Sequence, residues 1–325
     1  MSGKHNPLAA GDYRGLSRMT ERRGRDAGKR DYFVRGQEFD APSLSPGLYV
    51  VATPVGHLSD ISIRALDTLA AADLIACEDT RVTRKLLTRY GIATPTISYH
   101  EHSDQRSHRR LLDALADGRS VALVSDAGTP LISDPGERLV ADAAAAGHRI
   151  IPVPGASSVM TALSAAGLPT ETCLFLGFLP SKSAARRKRL GEVSRIDATL
   201  ILFESPNRIA ALLADAAEIL GGAREAAIGR ELTKLHETIE RATLKELAAL
   251  YAGRSVKGEI VLLVGPPGVA ETPSAGDIDA MLREALGGGG VKQAAEQVAE
   301  MTGLSRRDLY ARALALKAQS ERDEG

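Results

Sequence analysis

The sequence predicts an α/β protein with two domains and a small helical module at the carboxyl end. Three observations support this fold class. Five short apolar segments alternate with helical patterns over residues 48–166, which is typical of a mostly parallel sheet covered on both faces. In residues 172–265, two strand segments follow each other without a helix between them, which indicates a mixed sheet. Residues 277–325 show only helical patterns.

Composition excludes several classes of protein. The chain has 325 residues with 41 basic and 41 acidic side chains, so its formal net charge is zero; the hydrophobic fraction of 44% argues against global disorder. Its two cysteines, Cys77 and Cys173, argue against a disulfide framework and a cysteine-based zinc site. No secretory segment is recognised, and no apolar run approaches the roughly 18 residues that span a membrane. We therefore expect a cytoplasmic protein without a membrane partner.

The amino-terminal segment, residues 1–46, is predicted to be a disordered basic extension. Residues 1–30 carry eight basic and three acidic side chains and show no apolar periodicity. Such a segment is typically a solvated tail. The alternative is a basic arm that adds non-specific affinity for RNA.

The first α/β domain is expected to span residues 47–168. Its predicted strands cover residues 48–53, 72–78, 96–98, 121–127 and 148–154. The intervening patterns predict helices from Asp60 onward, over Thr80–Arg89 and 106–117, from Asp134 onward, and over Ala156–Ala166. Asp134 is interpreted as the N-cap of its helix and Pro135 as the first helical residue.

The second domain is expected to span residues 169–265, followed by a linker and a helical module. Its predicted strands cover residues 172–178, 198–204, 224–232, 234–242 and 257–265, with helices over 181–195 and Asn207–Leu220. Residues 266–276 have the composition of a linker. Residues 277–325 are predicted to form a helix–turn–helix-like module, in which Gly303 ends one helix and Ser305 caps the next.

Four predicted strand ends in the first domain share an unusual richness in small residues and proline. They read TPVGHLSD (53–60), CEDTR (77–81), SDAGTPLISDPG (125–136) and VPGASS (153–158). Ligands of open parallel sheets bind beyond the carboxyl ends of the strands, and small residues let the backbone approach a ligand closely. The sequence lacks GxxxxGK[ST] and has no GxGxxG after the first strand, which argues against a P-loop NTPase and a dinucleotide-binding protein.

These four segments, together with GFLP, ESPNRI, GRELTK and KGEIVLLV further along, resemble the tetrapyrrole methylase superfamily. Within it, the chain is similar to the ribosomal RNA small subunit methyltransferase I family over about residues 47–318. The resemblance implies a two-domain tetrapyrrole-methylase-like fold, S-adenosylmethionine as cofactor, no metal, and a homodimer. It implies 2′-O-methylation of the ribose of cytidine 1402 in 16S ribosomal RNA, on the small ribosomal subunit.

Candidate site residues follow from this resemblance and from the positions of the strand ends. The candidate cofactor-binding residues are Thr53, Pro54, Ser125, Asp126, Ala127, Gly128, Thr129, Pro130, Pro154, Gly155 and Ser157. Methyl transfer to a ribose hydroxyl needs the two reacting atoms aligned and benefits from a general base. The candidate catalytic residues are therefore Glu78 as the base, Arg81 beside RNA phosphate, and Lys257 as a charge that lowers the pKa of the hydroxyl. For Lys257 and its neighbours, structural ion pairing is an equal alternative.

Two basic segments, residues 182–195 and residues 301–318, are candidates for RNA binding. Residues 182–195 hold six basic side chains and one acidic one, and a solvated helix face is the alternative interpretation. The candidate RNA-binding residues are Lys182, Arg186, Arg187, Lys188, Arg189, Arg306 and Arg307.

Two other functions remain open from the sequence. One is a tetrapyrrole or diphthine-type methyltransferase; the tetrapyrrole enzymes of the superfamily usually carry a GPGD-type loop after the first strand, and TPVGH at 53–57 argues against a porphyrin substrate. The other is a non-catalytic RNA-binding ribosome assembly factor, against which the intact SDAGTP and PGASS segments argue. The histidine-rich segment from Tyr99 to His108 superficially resembles a metal site, but we expect a loop near the substrate instead.

Overall fold

The structure is a computed structural model that describes residues 30–100, 105–268, 274–302 and 304–323. The chain divides into two compact units, residues 1–157 and 158–325. The predicted fold class is confirmed, since one unit holds a parallel sheet, the other a mixed sheet, and the carboxyl-terminal residues are helical.

The first unit begins with a β-hairpin made of β1 (Asp31–Val34) and β2 (Gln37–Asp40). The prediction that residues 1–46 are disordered is therefore wrong for residues 31–40, and residues 1–29 lie outside the described residues. Tyr32 anchors the hairpin: it is 1% exposed, stacks on Phe39 and donates a hydrogen bond from its hydroxyl to Asp67 Oδ1 at 2.9 Å. Tyr32 belongs to the core cluster of the first unit, and Val34 packs against the same cluster.

The main sheet of the first unit is entirely parallel, whereas the sequence predicted a mostly parallel sheet. Its strands are β3 (Gly47–Val51), β4 (Leu74–Cys77), β5 (Thr96–Ser98), β6 (Ser120–Val124) and β7 (Ile150–Val153), in the order β5-β4-β6-β3-β7. The connecting helices are α1 (Ile63–Ala71), α2 (Thr80–Tyr90), α3 (Gln105–Ala116) and α4 (Glu137–Ala145). Continuous apolar strands of this kind are expected where both faces of the sheet are covered.

The two faces of this sheet are covered by different pairs of helices. Helices α1 and α2 pack with Val51 and Ile75 on one face, whereas α3 and α4 pack with Leu48 and Leu123 on the other. The connection after β3 therefore leads to one face and the connection after its neighbour β6 leads to the opposite face. This is a topological switch point, where open α/β sheets have a crevice at the carboxyl ends of the strands.

The start of α4 differs from the prediction. The helix begins at Glu137 after Gly136, which makes no side-chain capping bond, so Asp134 is not the N-cap and Pro135 is not the first helical residue. The backbone before it is constrained, because Leu131 and Ser133 have φ values of 75° and 66° and Gly136 has 127°. A Cβ at Gly136 would lie 2.8 Å from Leu123 Cδ2 of β6, so both the φ value and the close approach to β6 favour glycine immediately before the helix.

The second unit contains a five-stranded mixed sheet, which confirms the expectation for this half of the chain. Its elements are α5 (Ser158–Ala166), β8 (Cys173–Phe178), α6 (Ser183–Val193), β9 (Thr199–Glu204), α7 (Ile209–Leu220), β10 (Glu225–Arg230), β11 (Thr238–Thr243), α8 (Leu244–Tyr251) and β12 (Ile260–Val264). The strand order is β11-β10-β12-β9-β8, with β8 parallel to β9 and the other pairs antiparallel. Helix α8 was not predicted, although Thr243 and Glu246 form a capping box at its start.

The boundary predicted between residues 168 and 169 is wrong. Helix α5 is part of the second unit, because Ala162 and Leu163 pack with Ile201, Ala227 and Leu263 of the mixed sheet. The sequence pattern identifies α5 as a helix but gives no sign of which sheet its apolar face covers.

The carboxyl-terminal module consists of three helices, α9 (Ala275–Gly288), α10 (Val291–Thr302) and α11 (Arg306–Asp323). They share a small apolar cluster that includes Leu282, Val298 and Leu309. Ser274 and Asp277 form a capping box, so α9 begins at Ala275, two residues before the predicted start of the module at residue 277. Within the described parts of the chain, no helix is both long and apolar enough to cross a membrane.

The hairpin yields a testable prediction about stability. Tyr32→Ala removes a fully buried aromatic ring, and we expect it to lower the free energy of unfolding by about 3–5 kcal/mol. Gln37→Ala, at an exposed position of the same hairpin, should change it by less than about 0.5 kcal/mol. Urea unfolding of both variants measures the difference. Equal stability of the two would show that the hairpin does not contribute to the folded unit.

Candidate active site at the carboxyl edge of the parallel sheet

The loops after β3 and β6 are joined across the switch point by a short backbone bridge. The Thr53 N–H donates to the Gly128 carbonyl at 2.8 Å, and the Gly128 N–H donates to the Thr53 carbonyl at 3.0 Å. The Thr53 hydroxyl also donates to the Ser125 carbonyl at 3.2 Å. Gly128 has a φ of +79°, a conformation that glycine adopts without strain. Two of the predicted cofactor-binding segments are thus fixed against each other.

The loop after β7 is attached to the same group. The Thr129 hydroxyl donates to the Ala156 carbonyl at 3.0 Å, and a Cβ at Gly155 would lie 3.0 Å from the Cβ of Ala52. The structure therefore brings together the three loops that contain all eleven candidate cofactor-binding residues. Of these, Thr53, Pro54, Ser125, Gly128 and Pro130 are buried, whereas Asp126, Ala127, Thr129, Pro154, Gly155 and Ser157 are partly or fully exposed.

Asp126 connects these loops to the end of β4. Its carboxylate accepts a hydrogen bond from the Asp79 N–H at 3.0 Å, and the Asp126 backbone in turn hydrogen-bonds to the carboxylate of Glu78. Asp126 therefore braces the edge of the site. The four strand ends that the sequence singled out form one connected group.

The three carboxylates at this edge experience different environments. Burial raises the pKa of Glu78, and the neighbouring Asp126 carboxylate raises it further, while the Asp126 backbone hydrogen bond and His100 act in the opposite direction. Burial also raises the pKa of Asp126. Hydrogen bonding to the Arg81 side chain lowers the pKa of Asp79 to about 2.

Arg81 lies at the outer rim of this group. Asp79 caps α2 and accepts from the Arg81 N–H at 2.8 Å, and its carboxylate also pairs with the Arg81 guanidinium at 2.6 Å. The Arg81 side chain is 86% exposed. It is therefore held in place by Asp79 while most of its surface faces solvent.

Lys257, in the second unit, forms no ion pair among the described residues. It is exposed, and its carbonyl accepts a hydrogen bond from Arg230 at 3.2 Å. The ion pairs in this region belong instead to Lys234, which contacts Glu231 at 2.9 Å and Glu259 at 3.1 Å. An effect of Lys257 on a hydroxyl pKa stays a prediction.

The basic helix α6 differs from the predicted RNA-binding surface. Arg186 is 4% exposed and pairs with Asp215 of α7 at 2.5 Å, so the prediction that it contacts RNA is wrong. Arg187 pairs with Asp215 and with Glu218, and Arg189 pairs with Glu192 at 2.9 Å. The remaining basic side chains of this segment, Lys182, Lys188 and Arg195, are exposed.

The other predicted RNA-binding pair lies at the start of α11. Arg306 pairs with Glu296 at 2.9 Å, and Arg307 is exposed. Contact of these two side chains with RNA stays a prediction.

The histidine-rich segment has a structural role in the described residues. His108 is buried between Tyr99, whose hydroxyl is 2.9 Å from Nδ1, and Asp142, whose Oδ2 is 2.8 Å from Nε2. The described residues contain no group of three histidine, cysteine or acidic side chains that could hold a metal ion. Residues 101–104 lie outside the description.

Sequence reasoning missed two features of the site. His100 acts electrostatically on Glu78, and Asp126 binds the backbone of Asp79 across 47 positions of sequence. A signal for His100 existed, since it follows a predicted strand at the same edge of the sheet. No local pattern could have shown the Asp126 contact.

Comparison with known proteins agrees with this geometry. Residues 47–248 match the family model described as Tetrapyrrole (Corrin/Porphyrin) Methylases, and residues 272–317 match the RsmI C-terminal HTH domain. A Mesorhizobium japonicum protein named Ribosomal RNA small subunit methyltransferase I is 50% identical over 289 residues, which cover 89% of this chain and 98% of the relative. The chain belongs to this family of methyltransferases. S-adenosylmethionine is accordingly its methyl donor.

Solved structures support the fold. The methyltransferase CobJ has a TM-score of 0.54 at 21% sequence identity, covering 68% of this chain and 95% of its own. Diphthine synthase has a TM-score of 0.52 at 17% identity, covering 67% and 89%. At these identities the similarity concerns the fold of the methyltransferase and not its substrate.

The reassignment of Arg186 yields a prediction about stability. Arg186→Gln leaves the Asp215 carboxylate without its closest partner, and we expect the free energy of unfolding to fall by about 3 kcal/mol. Lys188→Gln, at an exposed position two residues away, should change it by less than about 0.5 kcal/mol. Urea denaturation compares the two variants. An Arg186→Gln protein as stable as the Lys188→Gln protein would mean that the ion pair does not hold α6 on α7.

Proposed function

We propose that this protein transfers a methyl group from S-adenosylmethionine to ribosomal RNA of the small subunit, at the ribose 2′-oxygen of a cytidine. The observation that supports a ribosomal substrate is the similarity to the Mesorhizobium japonicum relative. The two sequences are 50% identical over 98% of that relative, which is named Ribosomal RNA small subunit methyltransferase I. The 2′-oxygen and the position equivalent to cytidine 1402 of 16S ribosomal RNA are the finer part of the proposal and derive from the family resemblance.

The connected strand-end loops suit the proposed cofactor. They combine small residues, exposed backbone at Pro154 and Gly155, and a position at the switch point of the sheet. Residues 53–54, 125–130 and 154–157 would hold S-adenosylmethionine, which supplies an electrophilic methyl group when bound. Because the loops are hydrogen-bonded to one another, they would hold it without extensive rearrangement.

Glu78 is the proposed general base for the hydroxyl. A carboxylate with a raised pKa accepts a proton more readily than an ordinary one, and a positioned base contributes about 10²–10⁴-fold to the rate. Arg81, held by Asp79 at the rim, is proposed to contact a phosphate of the RNA. We also propose that the enzyme acts as a homodimer in the cytoplasm, and sedimentation of the purified protein tests the dimer.

The role of Glu78 leads to a direct prediction. Glu78→Gln should reduce single-turnover methyl transfer by about 10²-fold or more while cofactor affinity changes little. In the wild type, the rate should fall as the pH drops through the raised pKa of Glu78, because protonation removes the base. Asp126→Asn keeps an acceptor for the Asp79 N–H but removes a negative charge that raises the pKa of Glu78. The acidic limb of the pH–rate profile should therefore move to lower pH. A Glu78→Gln variant with wild-type turnover would exclude Glu78 as the base.

The substrate is tested by transfer of a labelled methyl group. Small ribosomal subunits that lack the modification, naked ribosomal RNA and a tetrapyrrole precursor are compared as acceptors, and the product nucleoside is identified by mass spectrometry. We expect a 2′-O-methylated cytidine from the ribosomal RNA of the small subunit. Methylation of the tetrapyrrole alone, or of a base instead of a ribose, would contradict the proposal.

A further inference from the structure

The outer face of α2 is the most uniformly basic helix face in the described part of the first unit. Helix α2 has four basic side chains and no acidic one between Thr80 and Tyr90. Its inner side, which includes Leu86, Leu87 and Tyr90, packs in the core. The exposed basic residues are Arg81, Arg84, Lys85 and Arg89.

Helical geometry places three of these side chains in one row and the fourth next to it. Residues 81, 85 and 89 follow one another at intervals of four, so their side chains are neighbours on the helix surface, and Arg84 lies beside them. The eleven-residue helix is about 16 Å long at 1.5 Å per residue. The row of basic side chains is therefore long enough to contact several successive charges of an extended polyanion.

Most of these basic side chains have no ion-pair partner in the part of the chain that the structure describes. Arg81 is paired with Asp79, whereas Arg84, Lys85 and Arg89 form no ion pair among the described residues. Arg89 and Asp60 have opposite electrostatic effects on the pKa of the Tyr90 hydroxyl, so Asp60 is the acidic side chain near that end of the row. Since the net charge of the whole chain is zero, attraction of a polyanion depends on local surfaces of this kind.

The row begins at the candidate active site. Asp79, the N-cap of α2, donates its N–H to Asp126 of the loop network, so the first turn of the helix is fixed to the site. A strand that places a ribose at the site can continue along α2. The expected alternative, α6, uses Arg186, Arg187 and Arg189 in ion pairs of its own.

We propose that the outer face of α2 binds the phosphates of the ribosomal RNA strand that flanks the methylated nucleotide. This inference rests on the proposed function, and it assigns to α2 the role that the sequence suggested for α6. Arg84, Lys85 and Arg89 neutralise phosphates, while Arg81 contacts the phosphate nearest to the site.

A matched pair of triple variants tests this surface. The α2 variant combines Arg84→Gln, Lys85→Gln and Arg89→Gln, and the control combines Lys182→Gln, Lys188→Gln and Arg195→Gln in and around α6. Both remove three exposed basic side chains that form no ion pair among the described residues, and glutamine preserves helix propensity. Calorimetry with S-adenosylhomocysteine verifies that cofactor binding is retained in both proteins.

The measurement is binding to small ribosomal subunits at several salt concentrations. Each lost phosphate contact reduces the slope of log affinity against log salt by about 0.7–0.9, so the α2 variant, which loses three contacts, should lose about 2–3 units of slope and the control should keep the wild-type slope. An unchanged slope in the α2 variant, or an equal loss in both variants, would overturn the inference.

The same measurement distinguishes this inference from the proposed function. If the wild type binds and methylates small subunits while the α2 variant keeps its slope, the α2 surface alone is wrong. If the wild type neither binds nor methylates small subunits, both the proposed function and this inference are overturned.

Discussion

The candidate site depends on the backbone bridge between Thr53 and Gly128. Strands β3 and β6 are neighbours, but their connections lead to opposite faces of the sheet, and open α/β sheets bind ligands at such a position. The bridge fixes the two loops against each other, and the Thr129 contact with Ala156 adds the loop after β7. The three loops approach one another closely, and this close approach favours small residues in these segments. The ligand that the loops are proposed to hold favours small residues for the same reason.

The electrostatics of the site follow from the same arrangement. Glu78, Asp79 and Asp126 lie close together, and Asp79, which forms an ion pair with Arg81, has a lowered pKa. Glu78 and Asp126 are half-buried beside each other, and their pKa values are raised. Environments that move the pKa values of neighbouring carboxylates apart are typical of acid–base sites.

The sequence predicted the elements that depend on local pattern. The buried strands of both sheets, the four strand-end segments and most helices follow from apolar runs and turn residues that lie close together in the chain. Helix α8 could have been found, because Thr243 and Glu246 have the spacing of a capping box. The hairpin could not, since Asp67, the hydrogen-bond partner of its buried Tyr32, lies 35 residues away.

The predictions from sequence that are wrong share one physical cause, which is contact between residues that are far apart in the chain. Arg186 belongs to a basic run, and only the fold brings Asp215 against it. Helix α4 begins after Gly136, where a Cβ would lie 2.8 Å from Leu123 Cδ2, and α5 belongs to the unit whose sheet it covers. Among the candidate site residues, the positions on the strand-end loops were predictable, whereas the hydrogen bonds that join those loops were not.

The most direct test of this account is amide hydrogen exchange with and without S-adenosylhomocysteine. If the joined loops hold the cofactor, residues 51–56, 125–130 and 153–158 should become protected together when the ligand is added, while peptides from β1 and β2 should not change. Protection of none of these segments in the presence of bound ligand, or of only one of them, would contradict the claim that the bridged loops at the switch point form the cofactor site.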